Sequence, residues 1–360
     1  MGLKGHIALT CTSPNAESAV HDLLGTRLPV MQAPMAGVQA SALALAVGVA
    51  GGLGALPCAM LAPDALRREL DALRTGGKPF NLNFFFHVPP PADEARERAW
   101  RDALRPYYAE FGLDQQEAPI ATSRVPFNAI TANLVEAWRP AVVSFHFGLP
   151  TPELLAHVRS WGSKIIASAT TLAEALWLEA RGVDAVIAQG LEAGGHRGHF
   201  LSSDLTLQAG TFALLPQLVR ALRVPVIAAG GIADAQGVAA ALALGASAVQ
   251  VGTAYLLCPE ATTHAVHRAA LADERVRHTA LTNVFSGGVA RGIVNRLMRE
   301  LGPLCPLAPP FPLAASAIAP LRAHAERSGS GDFSPLWAGQ NASGCRGIGA
   351  ARLTRELAGT

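Results

Sequence analysis

Residues 224–253 read VPVIAAGGIADAQGVAAALALGASAVQVGT. An apolar run ends in two glycines, an Asp then opens a helix-length segment, a Gly closes it, and a second apolar run ends in Gly-Thr. Asp before and Gly after are helix start and stop signals, so the stretch predicts strand, helix, strand. Neither run alternates strictly between apolar and polar residues. That suits strands covered on both faces, as in a parallel sheet.

The same rhythm extends in both directions. Apolar runs recur at 28–34 (LPVMQAP), 51–56 (GGLGAL), 79–85 (PFNLNFF), 141–147 (AVVSFHF), 164–169 (KIIASA) and 183–189 (VDAVIAQ). Amphipathic segments such as APDALRRELDALRT, TPELLAHVRSWG and TTLAEALWLEARG lie between them. With 224–230 and 246–252 the runs number eight, and eight parallel strands with intervening helices make a closed (β/α)₈ TIM barrel the economical reading. An open doubly wound sheet is the alternative. Its G-x-G-x-x-G cue is missing after the first run, which continues QAPMAGVQA.

Two parts break the rhythm. Residues 88–127 begin VPPPADEARERAWRDALRPYYAEFG, a helical insertion after the third strand. Beyond about residue 275 the alternation stops, and the tail carries SGGVARGIVNRLM, LGPLCPLAPPFPLA and GDFSPLWAGQNASGCRG. Residues 1–275 are thus expected to form the barrel, and 276–360 a C-terminal capping segment that covers its mouth together with the insertion.

Composition narrows the class. Half of the 360 residues are apolar, and 29 basic residues nearly balance 27 acidic ones without a basic patch, which argues against nucleic acid as a partner. Five scattered cysteines lack zinc-ligand spacing and suit a reducing cytoplasm, and no metal is expected. The start of the chain shows no signal-peptide pattern. SALALAVGVAGGLGAL reads as a buried helix passing into a strand rather than a membrane span. The oligomeric state is not legible.

Chemistry concentrates at the ends of the runs. Gly230 and Gly231 end the seventh, Gly252 and Thr253 the eighth. Bare backbone amides at these two loops form a frequent phosphate site in barrels, although glycines there also serve tight turns. No Walker-type sequence occurs, so a cofactor or sugar phosphate fits better than phosphoryl transfer. Asn81 and Asn83 share one face of their strand and could meet a heterocycle edge or simply satisfy backbone, as could Gln189. After the sixth run comes AQGLEAGGHRGHF. There Gly194 and Gly195 allow close approach to a ligand, and His196 projects beside it as a base or hydrogen-bond donor. His146 is a second candidate at the mouth, or a packed histidine. His199, His264 and His267 read as surface residues.

With these residues in place, the chain resembles the nitronate monooxygenases of class I. QAPMAG, FNLNFF, VVSFHFG, AQGLEAGGHRG, AAGGIAD, ALGASAVQVGTAYLLCPE, SGGVARGIVNR and WAGQ look like the family's segments, in family order, over about residues 28–340. The resemblance implies an FMN-containing barrel. The flavin ring would rest on the backbone of Gln32, Ala33, Pro34 and Met35, with Asn83 and Gln189 at its polar edge. Gly194, Gly195, Gly230, Gly231, Gln250, Val251, Gly252 and Thr253 would hold its surroundings and phosphate. His196 falls on the family's catalytic histidine. The implied reaction oxidises alkyl nitronates with O₂ to a carbonyl compound and nitrite, without NAD(P)H. The family's tyrosines and lysine are absent from 308–321 (APPFPLAASAIAPL), which implies a less polar and less cationic substrate pocket. Two alternatives remain: an FMN-dependent NAD(P)H:quinone or enoyl-thioester reductase, and a non-catalytic flavin- or phosphate-binding barrel.

Overall fold

The computed structural model describes residues 22–91, 93–115, 124–273 and 278–360. Cys11, the start of the chain, part of the 88–127 insertion and the expected boundary at 275 lie outside those residues.

Each apolar run becomes a strand of one parallel sheet: β1 Val30–Gln32, β2 Gly54–Pro57, β3 Phe80–Phe85, β4 Val142–His146, β5 Lys164–Ala169 and β6 Ala185–Gln189. A two-residue strand, β7 Gly195–His196, stands apart, and β8 Val226–Ala229 and β9 Ala248–Val251 complete the sheet. Its order is β1-β9-β8-β6-β5-β4-β3-β2. The two ends meet where the Leu53 amide donates to the Val30 carbonyl at 3.0 Å and Gln32 N to Leu53 O at 2.9 Å. This closes the (β/α)₈ barrel.

The second run begins later than its sequence suggests, because Gly51 is the left-handed cap of the helix Ser41–Ala50. Gly54 then packs so close to that helix that a Cβ would stand 2.1 Å from the Ala44 carbonyl oxygen. Elsewhere the expected caps form: Thr151, Thr171 and Asp234 accept from backbone amides of the first turns they precede.

Two apolar shells hold the barrel. Leu43, Val47, Leu70, Val143, Ile165 and Leu218 are buried between sheet and helices. Truncating such a Leu to Ala typically costs about 2–5 kcal/mol. Inside, Met31, Leu53, Val142, Ile166, Ile227 and Ala248 form a dry plug. Because side chains alternate along a strand, the inward face that starts at Val142, Ile166 and Ala248 continues to His146, Ser168 and Gln250 at the strands' C-terminal ends. The interior thus changes from apolar to polar in one direction.

The insertion and tail build a third core. Trp100 Nε1 donates to Ala314 O at 3.2 Å and the Tyr108 hydroxyl to Ala317 O at 2.7 Å. These bonds join the helix Glu94–Phe111 to the helix Ala315–Arg327. The tail also forms the antiparallel pair β10 Thr279–Thr282 and β11 Ala290–Ile293, and β11 pairs with β7. The last helix, Ala350–Leu357, returns to pack on Ser41–Ala50, with Thr354 Oγ1 2.8 Å from the Tyr255 hydroxyl. Among the described residues no helix is long and apolar enough to cross a membrane.

Candidate active site

One cleft opens at the C-terminal ends of the strands. It is lined by Ala33, Pro34, Met35, Asn83, Gln189, Gly194, Gly195, Gly230, Gly231, Gln250, Gly252 and Thr253, and by His146 and His196. Gln32 and Val251 belong to the same sequence segments but do not line it. Strand alternation turns both side chains outward into the layer between sheet and helices, where they are buried. Gln32 instead accepts from Ala55 N at 3.1 Å and bonds Gln39 at 2.6 Å, while Gln39 accepts from Met35 N at 3.0 Å. The pair fixes the Ala33–Met35 backbone from below.

The glycine end is shaped by close contacts. Gly230 has φ +117°, and a Cβ there would lie 2.8 Å from Thr211 Oγ1 and 3.0 Å from Ala193 N. A Cβ on Gly194 would meet Ala338 and Gly339 backbone at 2.5 Å, whereas one on Gly195, at φ +74°, would meet open space. Gln250 Oε1 is buried in this cleft without a hydrogen-bond partner among the described residues. Asn83, by contrast, donates to Ser144 Oγ at 2.9 Å, as Asn81 does. Asn81 is fully buried below the cleft.

The loop after β6 is held by buried charges that the sequence did not single out. Arg197 is fully buried and donates to the carbonyls of Gly190 (2.7 Å) and Gln189 (2.8 Å) and to Gln208 Oε1 (2.8 Å). Glu174, also buried, accepts from the amides of Thr170 and Phe200 at 2.7 Å each. Glu192 receives the Thr211 amide and hydroxyl, and Arg291 donates to Leu191 O at 2.8 Å. Buried charges of this kind are tolerated only when fully hydrogen-bonded. The backbone of 189–198 is therefore rigid where it carries His196.

His196 sits in an aromatic wall. Its ring lies 5.2 Å from Phe311, 5.5 Å from Trp337, 6.1 Å from Phe147 and 6.2 Å from Phe85, centroid to centroid. Phe147 takes up this position with φ +71°, a left-handed conformation unusual for an aromatic residue. Burial, then the charges of Arg124, His146 and His87, hold the His196 imidazole well below its ordinary pKa, so it is neutral at physiological pH. His196 Nε2 is 2.8 Å from Ser286 Oγ, which in turn donates to Gly288 O at 3.4 Å. With the hydroxyl donating to that carbonyl, Nε2 would carry the proton and Nδ1 the lone pair.

His146 is shaped by the same loop. Its Nε2 donates to the His196 carbonyl at 3.1 Å, so its Nδ1 accepts from Ser168 Oγ at 3.1 Å. Burial lowers its pKa to about 4. It lines the cleft as a neutral, oriented group.

Three expectations need correction. His267 is buried, not a surface residue: it lines the cleft, and burial lowers its pKa to about 4. The tail folds over its helix, which sequence periodicity cannot show. His264 stays exposed, but His199 is half-buried and burial lowers its pKa too. The pocket also has a cation despite the Lys-free 308–321 segment. Arg124, from the insertion, lines the cleft with its guanidinium 5.2 Å from the Phe311 ring centroid. Its Nη1 is buried with no partner among the described residues.

Comparison with known proteins places this arrangement. The sequence profile of the nitronate monooxygenase family matches residues 17–358. The nitronate monooxygenase of Pseudomonas aeruginosa is 45% identical over 93% of this chain and 96% of its own length. That of Paraburkholderia phytofirmans is 43% identical, covering 96% and 95%. Among solved structures, a nitroalkane oxidase from Streptomyces ansochromogenes superposes with a TM-score of 0.86 at 38% identity, covering 95% of this chain and 97% of that one. FabK from Thermotoga maritima is more distant, with a TM-score of 0.67 at 28% identity and 94% coverage of both chains.

Proposed function

Because the chain belongs to the nitronate monooxygenase family, whose members are flavin-dependent oxidoreductases, we propose that it binds FMN in this cleft and oxidises alkyl nitronates with O₂. The carrying observation is a single cleft with a glycine-lined end and a neutral histidine in an aromatic wall at the other. The residues fit a flavin. The amides around Gly230, Gly231, Gly252 and Thr253 suit the phosphate. The flat Ala33–Met35 segment suits the ring, and the orphaned Gln250 Oε1 is an acceptor for a ring N–H. Bound flavin supplies the electron acceptor for the nitronate and hands the electrons to O₂.

The protein's own part is binding, orientation and one proton. Arg124, whose Nη1 has no hydrogen-bond partner among the described residues, would present its charge to the anionic nitronate. Phe85 and Trp337, which line the cleft, would exclude water from the reacting carbon, with Phe147 and Phe311 packed around the same imidazole. With a neutral nitroalkane, His196 Nδ1 takes the α-proton, while Ser286 keeps Nε2–H pointed away. The products are a carbonyl compound and nitrite.

The test is the flavin spectrum of the purified protein, followed without oxygen. Adding ethylnitronate is expected to remove the oxidised flavin absorbance, and air to restore it with release of nitrite. No response to nitronate, with bleaching by NADH or NADPH, would make the protein a reductase instead.

A further inference from the structure

We propose that an apolar cavity beside the reaction cleft receives the alkyl chain of the substrate, so that nitronates of about six carbons or more are preferred over ethylnitronate. This rests on the nitronate-oxidation reading and names the substrate class. The cavity measures about 770 Å³, within the usual range for small-molecule sites and far larger than an ethyl group needs. It shares Met60, Phe85 and Arg124 with the reaction cleft, so the two spaces adjoin along one wall.

The cavity has a built shape. Ile130, Thr131 and Leu134 face it from the helix Ala129–Val135, at positions that share one helical side. Ala315, Ser316 and Ala319 face it from the helix Ala315–Arg327, and their small side chains leave the space open. At its rim three large apolar side chains stand in water: Met60 54%, Val125 58% and Ile130 79% exposed. Clustered exposed apolar groups at a concavity mark a ligand site. Arg124 at the neck and Arg322 further out are its only charged lining residues among those described. A nitronate head at His196 with a hydrocarbon tail past Arg124 matches this polarity.

The experiment compares kcat/KM of the holoenzyme for ethyl-, butyl-, hexyl- and octylnitronate. An increase of roughly threefold per methylene is expected until the cavity is filled. Ala319→Trp and Thr131→Trp, each projecting bulk into the cavity, should flatten the series while leaving ethylnitronate turnover within about twofold. Calorimetric titration with unreactive straight-chain alcohols, butanol to octanol, reads binding without turnover. Affinity should rise with length in the parent protein and lose that rise in both variants. Nitronate turnover with no chain-length dependence in either series would overturn the cavity assignment alone. Length-dependent alcohol binding without any nitronate turnover would uphold the cavity and overturn the reaction.

Discussion

The two ends of the cleft are assembled in opposite ways. The glycine end comes from short stretches at the tips of β8 and β9, where backbone alone makes the surface. The aromatic end comes from Phe85, Phe147, Phe311 and Trp337, carried by two strand ends and two distant parts of the tail. A backbone surface suits a group common to many proteins, whereas a side-chain surface sets which reaction follows. Damage at one end should therefore leave the other end's task intact, and each variant below tests that separation.

The largest effect is expected for His196→Asn. Activity on neutral nitroalkanes should fall about 10²–10⁴-fold, while turnover of preformed nitronates stays within about tenfold and flavin content is unchanged. Oxygen consumption on both substrate forms reads the difference; full activity on neutral nitroalkanes would remove His196 as the base. Since the imidazole is neutral well below its usual range, the acid limb of the parent's profile should lie below pH 6.5.

Gly230→Ala probes the opposite end. Its Cβ would press on Thr211 Oγ1 and Ala193 N at a backbone angle that favours glycine. The flavin Kd is expected to rise roughly ten- to hundredfold, with near-normal turnover once flavin saturates. Equal loss of turnover in the saturated enzyme would show that the ends are coupled.

Arg124→Met should raise KM for nitronates about tenfold and also lower kcat/KM on neutral nitroalkanes, since the same negative charge develops on the nitro group as the α-proton leaves. Steady-state kinetics on both forms at one pH decide it. Ser286→Ala is expected to lower neutral-nitroalkane turnover about threefold to tenfold at constant flavin content, because Nε2–H loses its acceptor.

The smallest contrast concerns stability. Folded His146 and His267 take up protons only near pH 4, whereas in the unfolded chain they do so from about 6.5 downward. The unfolded state then binds more protons across that window, so stability is full above pH 6.5 and falls toward pH 4. Chemical denaturation at pH 7 and 5 measures it, and equal midpoints would contradict the buried, neutral assignment.

The barrel was legible because its signals are local: each strand is one apolar run, and each glycine pair directly follows its strand. Helix starts were legible at Thr151, Thr171 and Asp234 for the same reason. The aromatic wall was not, since nothing near His196 in the chain announces Phe311 or Trp337. Arg197 and Glu174 carry no local signal of burial, and only the closed loop shows that they are buried staples. Gln32 and Val251 turn their side chains away from the cleft, because alternate residues of a strand face opposite ways, so only their backbone is left for the role that the resemblance implies.

The short pairing of Gly195–His196 with Ala290 and Arg291 carries a consequence for synthesis. All eight barrel strands, and both glycine turns, precede residue 254 and emerge from the ribosome before the segment that pairs with His196. Trp337 emerges later still. The same tail also ties down both glycine turns, Asn341 Nδ2 donating to Gly231 O and Gly339 N to Thr253 Oγ1, each at 2.9 Å, so both ends of the cleft are finished only when the C-terminal segment has folded back.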